Sequence, residues 1–106
     1  MARQYEGTFI FAPSLEDAAL EAAVAKVEET VRESGGTPGA WDRWGKRRLA
    51  YEIKDQRDGY YTFLIFETDP ASIEKLERVF RLDENILRHM IIVKDDHAPE
   101  SEAEAT

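Results

Sequence analysis

Apolar positions along the chain switch between a two-residue and a three-to-four-residue spacing, and the switches divide it into six segments. From Tyr5 to Pro13, Phe9 and Phe11 alternate with Thr8 and Ile10, the period of a strand, and Pro13 stops the ladder. Ser14 followed by Asp17 resembles a capping box, with aspartate where glutamate is usual. A helix is expected from there to about Ser34, because Leu20, Val24, Val27 and Val31 fall on one stripe. Glu16, Asp17 and Glu21 suit its positive end, and Gly35-Gly36 ends it.

Thr37 to Ala40 reads as a loop before a second strand, Trp41 to Ile53, in which Leu49, Tyr51 and Ile53 alternate with Arg48, Ala50 and Glu52. That alternation puts Lys46 and Arg48 on the face opposite Leu49 and Tyr51. A hairpin turn is expected over Asp55-Gln56-Arg57-Asp58-Gly59. The third strand, Tyr60 to Glu67, is aromatic and β-branched almost throughout, which suits a central strand covered on both faces, or on one face and by a partner. Asp69-Pro70 reads as N-cap and first residue of a second helix carrying Ile73, Leu76, Val79 and Phe80 and ending near Arg81. Leu87 to Lys94 is the last strand. From Asp95 to Thr106 no cation occurs, the composition of a disordered acidic tail.

The order strand, helix, strand, strand, helix, strand is the split βαβ, or ferredoxin-like, arrangement of the α+β class. It predicts a four-stranded antiparallel sheet with both helices on one face and no cover for the other from within the chain. One domain, residues 1–94, is followed by the tail, 95–106. With 106 residues there is room for a single core and not for two ordinary domains. Cysteine is absent, which excludes disulfides, thiolate metal sites and cysteine nucleophiles and fits a reducing cytoplasm. Neither a signal peptide nor an apolar run long enough for a membrane span is evident.

Charge sharpens the picture. The net charge is −8, yet Arg43 to Arg57 carries six cations (Arg43, Lys46, Arg47, Arg48, Lys54, Arg57) against Glu52 and Asp55. Solubility is already met by the acidic remainder, so a cationic island is a positioned feature. Lys46, Arg47 and Arg48 can neutralise phosphates, while Trp44, Tyr51 or Tyr60 can stack on unpaired bases. The competing reading is a solvated edge strand, charged against aggregation, with its aromatics in the core. Other chemistry finds less support. His89 and His97 fall on different segments with no carboxylate at metal-ligand spacing, so no metal or other cofactor is expected, and His89 reads as a sheet residue open to phosphate or solvent. Ser14 and Ser72 are explained as helix-start residues, and no activated nucleophile is legible. Where acylphosphatases of this topology carry a phosphate loop, this chain has Ala12-Pro13-Ser14-Leu15, and metallochaperones of the topology need two cysteines.

The residues also resemble a family, the sixth protein of the bacterial small ribosomal subunit (S-six). The match runs from about Arg3 to Lys94. Its most specific pieces are Tyr5-Glu6, the phrase from Trp44 to Ile53, Gly59-Tyr60-Tyr61, and Phe80 to Met90. The resemblance implies a non-enzymatic, cytoplasmic ribosomal protein that binds the central domain of small-subunit rRNA as a heterodimer with S-eighteen. Carried over by position, it implies RNA or partner contacts from Lys46, Arg47, Arg48 and Arg88, joined by Arg3 and Tyr5. Trp44, Lys54 and His89 complete the candidate set from the residues themselves. The chain departs from the family at Glu52, where proline is frequent, and at Ala105-Thr106, where some members end in glutamates that are extended after synthesis. The main alternative is an RRM-like regulator that binds single-stranded RNA without a ribosomal partner, with Tyr61 and Phe63 as platform residues. A small sheet-dimer enzyme on the same fold is a third reading, and would need a cofactor or substrate cavity that the sequence does not reveal.

Overall fold

The computed structural model describes residues 2–94, and the expected acidic tail, 95–106, lies outside the described residues. Strand β1 (Arg3–Phe11) leads to helix α1 (Asp17–Glu33), then to β2 (Thr37–Ile53) and β3 (Gln56–Thr68). A 3₁₀ turn over Pro70–Ser72 opens α2 (Ile73–Leu82), and β4 (Ile86–Val93) closes the domain. The sheet order is β2-β3-β1-β4, antiparallel throughout, the arrangement predicted by the order of elements.

Alternation along β1 sorts the two faces. Tyr5, Phe9 and Phe11 turn toward the helices and join Leu20, Val24, Val27, Val31, Leu76 and Phe80 in the main core. Phe9, Phe11, Phe66 and Phe80 are fully buried, each contributing about 1.5–3 kcal/mol by burial alone. Phe80 meets Phe9 edge-on at 4.9 Å between centroids. The expected helical stripe is therefore the buried face of α1.

Its start differs from the expected capping box. The Leu15 N–H donates to the Ala12 carbonyl at 3.3 Å, closing a turn with Pro13 and Ser14 at its centre. Ser14 is consumed by that turn, and α1 is capped by Glu16 without a side-chain hydrogen bond. The far end is as expected. Gly35, at φ 90°, donates to Arg32 and Gly36 donates to Val31, the paired bonds of a Schellman motif. Asp69 also behaves as expected, accepting from the Ala71 N–H at 2.9 Å with Pro70 beside it.

Three expectations about β2 and its surroundings are corrected. Thr37 to Ala40 is strand, pairing with Phe66 and Glu67 at the sheet edge, where a proline is tolerated and a register shift absorbs Gly39-Ala40. The β2–β3 turn is Lys54-Asp55, both at positive φ (51° and 66°), a two-residue hairpin turn of type I′ form. Gln56 to Gly59 accordingly belongs to β3. Lastly, the face away from the helices has internal cover at one end, a second cluster of Ile10, Leu49 and Leu87 with Ile53 and Tyr61 against it.

Candidate nucleic-acid interface

The basic stretch occupies the distal half of β2, and two irregularities aim it. Gly45, at φ 82°, marks a bulge that shifts the register between Arg43 and Gly45. Beyond it Lys46 pairs with Tyr60, Arg47 with Gly59 and Arg48 with Asp58. The pleat then separates Lys46 and Arg48 from Arg47 and Leu49, as the alternation predicts. Next the ladder breaks. Between the pairs Arg48–Asp58 and Ile53–Gln56, the four residues Leu49 to Glu52 of β2 stand against Arg57 alone. Surplus length on one strand bends it.

The bend folds the hairpin tip back over the open face. β2 and β4 are opposite edges of the sheet, three strand spacings or about 14 Å apart. Even so, the Arg88 guanidinium of β4 donates to the Tyr51 hydroxyl of β2, and Leu49 packs with Ile10 of β1 and Leu87 of β4. Gly59 makes the approach possible, since a Cβ there would stand 2.3 Å from Ile10 Cγ2. Leu49 is thus buried as its alternation predicts, on the face opposite the helices. Tyr51, expected to be buried with it, is 60% exposed.

The cations are not equally available. Arg43 turns to α1 and grips Glu21 in a two-pronged ion pair, 2.5 and 2.9 Å, which raises the guanidinium's pKa and lowers that of the carboxyl. Arg57 donates to Glu52 at 3.1 Å, and Arg48 stands 3.9 Å from Asp58. Arg47 lies 5.5 Å from the Trp44 ring centre and donates to the Trp44 carbonyl at 3.3 Å. Among the described residues Lys46 and Lys54 have no ion-pair partner, and Lys46, Arg47, Arg48 and Lys54 are all exposed.

The remaining candidates scatter. Arg3 is exposed at the start of β1, opposite Thr68 and away from the hairpin. Tyr5 is buried and stacked on Phe66 at 5.7 Å, so its ring serves the core. His89 faces α2, edge-on to Phe80, with burial pushing its pKa below the ordinary value, Glu77 opposing and Arg81 adding to the shift. The structure therefore assembles Trp44, Lys46, Arg47, Arg48 and Lys54 on one hairpin and ties Arg88 to it through Tyr51. The link to Tyr51 had no signal in sequence spacing, because it depends on strand order.

Beside the hairpin the open face carries apolar side chains on β3 and β4, with Glu6 and Thr8 of β1 between them. Trp44 contacts Phe63 edge-on at 4.9 Å, and Ile65, Met90 and Ile92 continue the surface, Met90 and Ile92 being about half exposed (48% and 51%). A hollow of ≈ 220 Å³ lies among Thr8, Ile10, Tyr61, Arg88, His89 and Met90. A basic hairpin beside an exposed apolar surface can bind a polyanion and an apolar partner at once.

Comparison with known proteins bears on this arrangement. The family model described as ribosomal protein S6 matches residues 4–93. The small ribosomal subunit protein bS6 of Clostridium botulinum (strain Loch Maree / Type A3) is 43% identical over 93 residues, covering 88% of this chain and 99% of that protein. The protein of the same name from Clostridium kluyveri is 45% identical over 93 residues, covering 88% and 97%. A crystal structure of 30S ribosomal protein S6 from Thermotoga maritima matches with a TM-score of 0.82 at 32% identity over 89% of each chain.

Proposed function

The chain belongs to the ribosomal protein S6 family, a structural and non-enzymatic family of the bacterial small ribosomal subunit, and on that premise we propose that it binds the central domain of small-subunit rRNA as a heterodimer with S-eighteen. Lys46, Arg47 and Arg48 contact backbone phosphates and fix the position of the protein, and Lys54 extends the same track. Trp44 and the apolar surface around Phe63, Met90 and Ile92 receive the protein partner. The observation that carries the reading is the juxtaposition of this exposed basic hairpin with that exposed apolar surface, in a chain of net charge −8. An acidic body repels RNA, so affinity for rRNA alone is weak, and a partner rich in Lys and Arg supplies the missing cations while covering the apolar face.

The RRM-like alternative has less support. On the open face β1 offers Glu6, Thr8 and Ile10, while Phe9 and Phe11 are buried against the helices, so a two-strand aromatic platform is missing.

Filter-binding titrations of a central-domain rRNA fragment test the proposal, run with and without S-eighteen across a salt series. The wild type should bind tightly only with the partner. Replacing Lys46, Arg47 and Arg48 together by Ala should weaken binding and make the salt slope shallower by roughly two to three. Equal binding and equal slopes for the two proteins would reject the hairpin as the RNA contact.

A further inference from the structure

Arg88 is the candidate cation tied to a strand that is not its neighbour in the sheet. Its guanidinium is already engaged by the Tyr51 hydroxyl, a neutral acceptor carried by the opposite edge of the sheet. Beneath that bond Leu49, Ile10 and Leu87 form a small buried cluster, and Gly59 admits the close approach of β3 to Ile10. The surplus residues Leu49 to Glu52 have little ladder pairing to hold their shape. The arc that follows the basic residues is therefore held from below by the packing of Leu49 on Ile10 and Leu87, and from the side by the Arg88–Tyr51 hydrogen bond and the Arg57–Glu52 ion pair. A bond between strands that are not neighbours constrains what the ladder leaves free.

We propose that Arg88 and Tyr51 form a latch that holds the basic hairpin in its RNA-binding pose, so that Arg88 is a positioning residue and not a phosphate contact. The proposal rests on the reading of the hairpin as the RNA contact. Its mechanism is preorganisation. With the latch closed, the arc after Arg48 and the Lys54 turn beyond it meet RNA in a fixed pose beside the ladder-paired Lys46, Arg47 and Arg48, and with it open the same charges are present but the arc must be ordered on binding. A charge-assisted hydrogen bond is among the stronger single links available to a surface hairpin. Tyr51 is the informative partner because it carries no charge. A loss of RNA affinity on removing its hydroxyl cannot be a loss of phosphate neutralisation.

Three variants test the latch in the full chain: Tyr51→Phe, Arg88→Gln, and the two combined. Each is measured for amide hydrogen exchange without RNA, and for binding to the central-domain fragment with S-eighteen across a salt series. The latch predicts faster exchange from Leu49 to Ile53 in all three. It also predicts a similar loss of affinity in each, about tenfold, with the double variant no worse than either single. The salt slope should stay at its wild-type value. A direct phosphate contact predicts otherwise, and would overturn the proposal: Arg88→Gln lowers the slope by about one while Tyr51→Phe binds normally. Unchanged exchange in all variants would overturn it equally. Should the variants loosen the hairpin while the triple Ala protein binds RNA like the wild type, the RNA role proposed for the latch is overturned. That result identifies the hairpin reading as the failed premise and leaves a purely structural contact.

Discussion

Gly59 shows how one residue type can carry two messages. In the sequence it closes a polar run and reads as a turn glycine, but the turn lies at Lys54-Asp55 and Gly59 sits within β3. Its need is for space, because a Cβ would stand 2.3 Å from Ile10 Cγ2 and 3.4 Å from Leu49 Cδ2. Gly59→Ala must push Ile10 and Leu49 away and separate the hairpin base from β1. The expected cost is about 1–3 kcal/mol, as for overpacking elsewhere. In thermal denaturation that is a fall in Tm of roughly 4 °C or more. A Tm equal to the wild type would show that the cluster repacks without cost. Tyr51 and Leu49 make a similar point. Their alternation marks a shared strand face, but whether a face is buried depends on what lies across from it. Leu49 finds Ile10 and Leu87 there, whereas Tyr51 reaches past them to Arg88 with its ring exposed.

The elements themselves were legible because their signals are local. Two-residue alternation marked β1 and β2, unbroken aromatic, β-branched or apolar runs marked β3 and β4, the Leu20-Val24-Val27-Val31 stripe marked α1, and Asp69-Pro70 marked the approach to α2. Boundaries failed where a distant element decides. Thr37 and Pro38 look like a loop and are strand because β3 offers them a ladder, while Ser14 looks like a cap but is taken by a turn whose first residue, Ala12, is tied to Asn85. The candidate site was legible as a charge island, but not that Arg43 would be drawn off by Glu21 or that Tyr5 would enter the core. The hairpin turn gives a prediction at this scale. Lys54 and Asp55 both hold the left-handed conformation, which Asn-Gly adopts more readily. Lys54→Asn with Asp55→Gly should stabilise the fold by about 1 kcal/mol, seen as a rise in Tm of roughly 4–8 °C. An unchanged or lower Tm would mean that the turn is already relaxed.

For the whole molecule, stability should depend on pH in two separable windows. Burial lowers the pKa of His89 in the folded state, with Glu77 opposing and Arg81 reinforcing, so the neutral ring is the form the fold favours. The unfolded chain takes up that proton first. Stability is therefore lost as pH falls below about 6.5 and through the folded-state value. Glu21 and Asp69, whose folded pKa values are lowered by Arg43 and by the Ala71 N–H respectively, lose their contributions only at more acid pH, below 4.5 and 3.8. Denaturant titrations from pH 7 to 5 should show declining stability in the wild type and a flatter profile in His89→Gln. Parallel profiles would assign the decline to other groups. The sheet order has a consequence in time as well. β1 is an interior strand, and its neighbours are β3, through Arg3–Thr68, and β4, through Tyr5–Val93. During synthesis at about 5–20 residues per second, β1 is made first and waits several seconds for the last of its partners. Over that interval Phe9 and Phe11 have no finished core to enter, so completion of the fold is governed by the arrival of the final strand.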